Sequence, residues 1–118
     1  MIYLASPYSH PVAAVREARF KAACRAAARL MLDGEVVFSP IAHSHPIAAF
    51  GLPVDWLFWE RFDGGQLVHA DEIAVLMLDG WRESRGVQAE IRLATDLGKP
   101  VRYLAPHRPP TLARVAKE

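Results

Sequence analysis

The most chemically suggestive run in the chain is Asp79-Gly-Trp-Arg-Glu-Ser84-Arg-Gly86-Val-Gln-Ala-Glu90-Ile. Ser84 is suited to cap a helix, and Gly86 leaves room for a ligand to approach the backbone. A helix start offers free N–H groups and partial positive charge, so it favours a phosphate or carboxylate. Glu90 follows about two turns further on, between apolar residues, at the edge of an apolar helix face. A carboxylate there is costly unless it is paired or used chemically. Two readings stand at this point: a catalytic Glu90, or a Glu90 that is solvated or paired with Arg92 or Arg25.

The histidines raise a different chemistry. His43 and His45 stand two apart in a Pro- and Gly-rich stretch, and His10 follows the first apolar run. Without a third fixed ligand they make a weak metal signature, and HEXXH is absent, so no metal is expected. Histidines beside Ser and Pro serve more often to bind substrate or to cap turns. The chain lacks GxGxxG, GxxxxGK[ST] and Gly-x-Ser-x-Gly, which removes the main support for a dinucleotide, a P-loop or a serine-hydrolase reading. Trp56, Phe58, Trp59 and Phe62 could stack on a base, but at helical spacing they fit a core or a subunit interface better. Asp63, followed by two glycines, reads as a helix-end or turn aspartate.

These residues need a scaffold. With 118 residues, 52% hydrophobic and 23% charged, the chain suits one globular domain over 1–118. A net charge of +1 gives no electrostatic case for a nucleic-acid polymer or a membrane surface. The arginines and lysine between Arg16 and Arg29 read as a solvated helix face rather than an anion-binding strip. Cys24, the single cysteine, lies among alanines and reads as a packing residue. No signal peptide and no membrane-length apolar run is visible, so the cytoplasm is the expected compartment.

Apolar runs at Ile2–Ala5, 35–39, 72–78 and 100–104 read as buried strands. Helices are expected between them. The first is capped by Ser9 near Pro11, carries Val15, Ala18, Ala22, Ala26 and Leu30 on one face, and closes at Asp33-Gly34. Residues 41–52 read as a loop. Pro53 and Asp55 start a helix through Trp56–Leu67, and Ser84 starts another that Gly98 closes. The tail from His107 reads as a short helix or a frayed end. The alternation predicts a flavodoxin- or Rossmann-like α/β fold, a doubly wound parallel sheet of four to five strands in three αβα layers. Ligands in such sheets bind outside the carboxyl ends of the strands, which selects Ser6, Pro7, His43, His45, Asp79, Ser84 and Gly86.

Three blocks resemble the nucleoside 2-deoxyribosyltransferase-like superfamily, in family order. They are Ile2-Tyr3-Leu4-Ala5-Ser6-Pro7-Tyr8; Asp63 through Leu67, Ala70, Asp71 and Val75; and Ser84-x-Gly86-x-x-x-Glu90-Ile91 through Gly98-Lys99-Pro100-Val101. The chain is most similar to a small bacterial and phage branch of unassigned function. The resemblance implies that Glu90 is a nucleophile toward the anomeric carbon of a nucleoside or nucleotide. It implies that Tyr3 orients Glu90 and that Asp63, or failing it Asp71, protonates the leaving base. Ser84 and Gly86 would hold the 5′ side of the sugar, and a serine there matches the branch that takes a 5′-monophosphate. A small-molecule nucleoside or nucleotide as partner, no cofactor, and a homodimer or larger assembly are implied as well. Ser6 stands where the family usually has glycine, and the His43-Ser44-His45-Pro46 segment and Gly80-Trp81 are not family features.

Overall fold

The computed structural model describes residues 1–106. Four parallel strands, β1 (Ile2–Ala5), β2 (Val37–Phe38), β3 (Glu72–Leu76) and β4 (Val101–Leu104), lie in the order β2-β1-β3-β4. Four helices connect them: α1 (Ala13–Leu32), α2 (Pro40–Ala48), α3 (Trp56–Val68) and α4 (Arg85–Asp96). This is the doubly wound arrangement, with the strand order reversing between β1 and β3.

Strand alternation builds two cores. Tyr3 and Ala5, with Ile73 and Val75, face Leu67, Val87 and Ala94 of α3 and α4. Ile2 and Leu4, with Ala74 and Leu76, face Ala26, Ala27 and Leu30 of α1. The helices thus form layers on both sides of the sheet. The small side chains of α1 let that helix lie close to the strands, and only its second half is buried on them. Ala18 is exposed and Ala22 half-buried, so the expected apolar stripe is real only from Ala23 onward. The first half of α1 overhangs the strand ends instead. There Arg16 reaches the His10 carbonyl and Arg19 the carbonyls of Ser9 and Asp79, so these two arginines leave the solvated face to Lys21 and Arg25. Cys24 is half-buried, and burial pushes its thiol up.

Several boundaries differ from the sequence reading. Ser9 does not cap α1: Val12 occupies that position without a side-chain cap, and the Ser9 hydroxyl donates to the Val54 carbonyl. The strand expected over 35–39 is only Val37–Phe38, half-buried at the edge of the sheet, where one side has no neighbour to extend it. The expected loop at 41–52 contains α2, whose cap is Ser39 and whose first residue is Pro40. Ser39 accepts from the Ala42 N–H at 3.1 Å, and Pro40 needs no donor at that position. The third strand stops at Leu76 and the fourth starts at Val101. Asp55 caps α3, Ser84 caps α4, and Gly34 and Gly98 close α1 and α4 with positive φ, as expected. The tail expectation from His107 lies outside the described residues.

Candidate active site

The site lies outside the carboxyl ends of β1 and β3, between α2, α3 and the start of α4. Tyr3 sits on the β1 face that meets α4 and is fully buried. Its hydroxyl donates to Oε2 of Glu90, which is itself only 5% exposed. Glu90 is therefore neither solvated nor paired with Arg92 or Arg25. Asp63 projects from the middle of α3, not from a helix end or turn. Both carboxyls line one cavity of about 570 Å³.

The electrostatics follow from burial. Desolvation pushes Glu90 up to about 8, the Asp63 charge adds to this, and the Tyr3 hydrogen bond opposes it. Desolvation also pushes Asp63 up to about 6. Burial, and then the Glu90 and Asp63 charges, raise the Tyr3 phenol well above its ordinary value. Tyr3 thus stays a donor across the physiological range. At neutral pH the carboxyl pair holds one proton, resting mainly on Glu90.

Ser84 caps α4 by accepting from the Val87 N–H at 3.2 Å, and it lines the cavity with Arg85 and Gly86. Gly86 has a different reason to be glycine from the one its position suggested. A Cβ there would stand 3.1 Å from Trp56 Cε3, so the indole, not a ligand, closes on the backbone. Gly80 adopts φ +90°, and a Cβ on it would meet the Arg19 guanidinium at 2.9 Å. Ser6 is 5% exposed at the cavity wall, and its Oγ has no hydrogen-bond partner among the described residues.

Three expected binding residues are placed elsewhere. Pro7 is fully buried as a packing residue and does not line the cavity. His43 turns to the other side of α2, against the Phe38 ring at 6.1 Å. Asp79 is exposed beyond the cavity, and only its carbonyl takes part, accepting from Arg19. Asp71, the alternative acid, pairs with the N-terminal amine at the opposite end of the sheet. That hydrogen bond and charge hold its carboxyl below the ordinary value.

His45 does reach the cavity, with both ring nitrogens committed to Tyr8 and Glu17, which leaves neither for a metal. No three His, Cys, Asp or Glu side chains converge in a ligand set among the described residues. Tyr8, Arg19, Trp56 and Trp59 also line the cavity. The sequence reading placed Tyr8 only within the segment that follows the first strand and ranked base stacking by the tryptophans below a core or interface role. The signal for Tyr8 was its place directly after a strand end, where ligands bind in this class of sheet.

Fold and cavity together define a doubly wound α/β protein with one buried and one half-buried carboxyl, Glu90 and Asp63, at its topological switch point. Residues 1–105 match the family model of DUF1937, a domain of unknown function, and the chain belongs to that family. No curated protein matches it. Among the described residues no helix is long and apolar enough to cross a membrane.

Proposed function

We propose that the protein is a nucleoside 2-deoxyribosyltransferase-like enzyme of the cytoplasm. It would cleave the N-glycosidic bond of a nucleoside or nucleoside 5′-monophosphate. The observation that carries this reading is Glu90: a buried carboxyl, held by a tyrosine, facing a second carboxyl across a cavity of nucleotide size. Glu90 attacks the anomeric carbon as a carboxylate. The C–N bond breaks, its electron pair goes to the base nitrogen, and Asp63 supplies that nitrogen with a proton. Water, or an incoming base, then attacks the glycosyl ester and gives its proton to Asp63, and Glu90 leaves as a carboxylate. The step requires the shared proton to move from Glu90 to Asp63. This shift changes no net charge in the pocket, and the Tyr3 donor favours the ionised Glu90. The Ser84 start of α4 suits a 5′-phosphate.

Incubation with a panel of ribo- and deoxyribonucleotides, reading free base, tests the proposal. Base release that Glu90→Ala abolishes supports it, whereas no release, or release unchanged in Glu90→Ala, overturns it. The proton that rests on Glu90 in the free protein favours a second reading, a nucleotide-binding module without turnover. Nucleotide-dependent thermal stabilisation without product distinguishes it.

We also propose a homodimer. Phe50, in the α2–α3 connection, is 91% exposed, and Leu57 and Phe62 of α3 are 65% and 48% exposed. Among the described residues, α3 therefore keeps an apolar surface that the core does not use.

A further inference from the structure

Glu17, His45 and Tyr8 form a hydrogen-bonded chain that ends at the cavity wall, and the chemistry above uses none of them. His45 Nε2 lies 2.6 Å from Glu17 Oε2, and Nδ1 lies 2.6 Å from the Tyr8 hydroxyl. A carboxylate only accepts, so Nε2 carries a hydrogen. In the neutral imidazole Nδ1 is then a bare acceptor, and the Tyr8 hydroxyl must donate its single hydrogen to it. Phe20 stacks on the imidazole with 4.3 Å between centroids, and Tyr8 meets it edge-on at 5.5 Å, which fixes the ring. Burial keeps the Tyr8 phenol protonated against the opposing Arg16 charge, and Arg16 itself is only a donor. With His45 neutral and Arg16 donating to the phenol oxygen, Tyr8 keeps one lone pair and no hydrogen for the cavity.

The neighbouring wall is apolar, formed by Ile41, Ala48 and the Trp59 indole. A flat heterocycle fits this part of the cavity, because the sugar belongs between Glu90 and Asp63 and a phosphate at Ser84. We propose that Glu17 and His45 lock Tyr8 as an obligate hydrogen-bond acceptor. The cavity thereby selects a heterocycle with an exocyclic amino group over its oxo counterpart. The inference rests on the nucleotide reading of the site. An amino group meets the Tyr8 oxygen as a donor, whereas an oxo group sets two acceptors against each other and leaves both unsatisfied.

The test is calorimetric titration of the Glu90→Gln protein, which binds without turnover, with the 5′-monophosphates of adenosine, inosine, cytidine and uridine, their 2′-deoxy counterparts and the free nucleosides. The amino member of each pair that binds is expected to bind about tenfold or more tightly than its oxo partner. Tyr8→Phe removes the acceptor and is expected to erase the preference by weakening the amino ligand. His45→Phe keeps the aromatic stack on Phe20 but frees the Tyr8 hydrogen to turn into the cavity. The preference is then expected to fall although Tyr8 is still present, which a merely structural role would not produce. Melting curves report whether each variant folds, and either variant alone decides the question. Equal binding of amino and oxo ligands, or a preference that survives either substitution in a folded variant, overturns the inference and leaves the nucleotide reading intact. Absence of binding by all four nucleotides, their 2′-deoxy counterparts and the free nucleosides overturns both.

Discussion

The hydroxyl of Tyr3 donates to the carboxyl of Glu90 across 87 positions of sequence, joining the first strand to the last described helix inside the core. A donor fixed in this way holds one Glu90 oxygen in place and leaves the other carboxylate lone pairs for chemistry. Tyr3→Phe is expected to lower kcat by about tenfold to a hundredfold, the worth of a hydrogen bond to a charged group. Glu90→Ala is expected to remove base release altogether. Equal base release by the Tyr3→Phe and wild-type proteins would show that the pair is structural only.

The carboxyl pair sets the pH dependence. The active form carries one proton shared by Asp63 and Glu90, so kcat/KM is expected to rise through about 6 and fall through about 8. Asp63→Asn changes this shape. It removes one titrating group and the charge that raises Glu90, so the falling limb disappears and the rising limb belongs to Glu90, below about 8. A pH series of initial rates for both proteins checks it.

Stability responds to the same groups with a definite sign. Both folded-state values lie above the ordinary ones, 3.8 for Asp63 and 4.5 for Glu90. The folded protein binds more protons than the unfolded chain between those limits. This contribution is fully present below the ordinary values and is lost as pH rises through about 6 and about 8. Urea midpoints are expected to fall from pH 5 to pH 9, and Glu90→Gln is expected to flatten much of that fall.

Gly86 carries a packing test. An alanine Cβ would press on Trp56 at 3.1 Å, so Gly86→Ala is expected to cost about 1–3 kcal/mol and to alter tryptophan fluorescence. A neutral outcome would mean that Trp56 yields easily, and ligand affinity would then be the more sensitive measure, since the indole lines the cavity.

The α3 surface gives a test of assembly. Phe50→Arg, a 91% exposed position just before α3 that does not line the cavity, is expected to convert a dimer to a monomer in light scattering without lowering the melting temperature of the fold. An unchanged mass would reject an interface at this surface.

The layered fold was legible because its strands are short continuous apolar runs and its caps carry their own local chemistry at Asp55, Ser84 and Gly98. What escaped had a physical reason in each case. Ser39-Pro40 ends a strand and starts a helix with the same two residues, and Pro46, which normally breaks helices, sits inside α2. With α2 read as a loop, neither the commitment of His45 to Glu17 nor the turning away of His43 was visible. The glycine pair after Asp63 made that residue read as a helix-end or turn aspartate. Yet a Cβ on Gly64 would stand 3.8 Å from Leu93, so the small residue brings α4 close and the helix continues through it. The pairing of Glu90 with Tyr3 was open from residue types alone, because it depends on which strand faces which helix. Only the resemblance pointed to it.

Ser6 gives the cavity one further property. Its hydroxyl has already been stripped of solvent in the folded protein, without a partner among the described residues to take the place of water. Because the Oγ is closed to solvent, a ligand group reaches it only if the wall shifts, and the hydrogen bond then formed needs almost no further dehydration on the protein side. The wall is in this sense preorganised: folding has already borne part of the desolvation that binding would otherwise require.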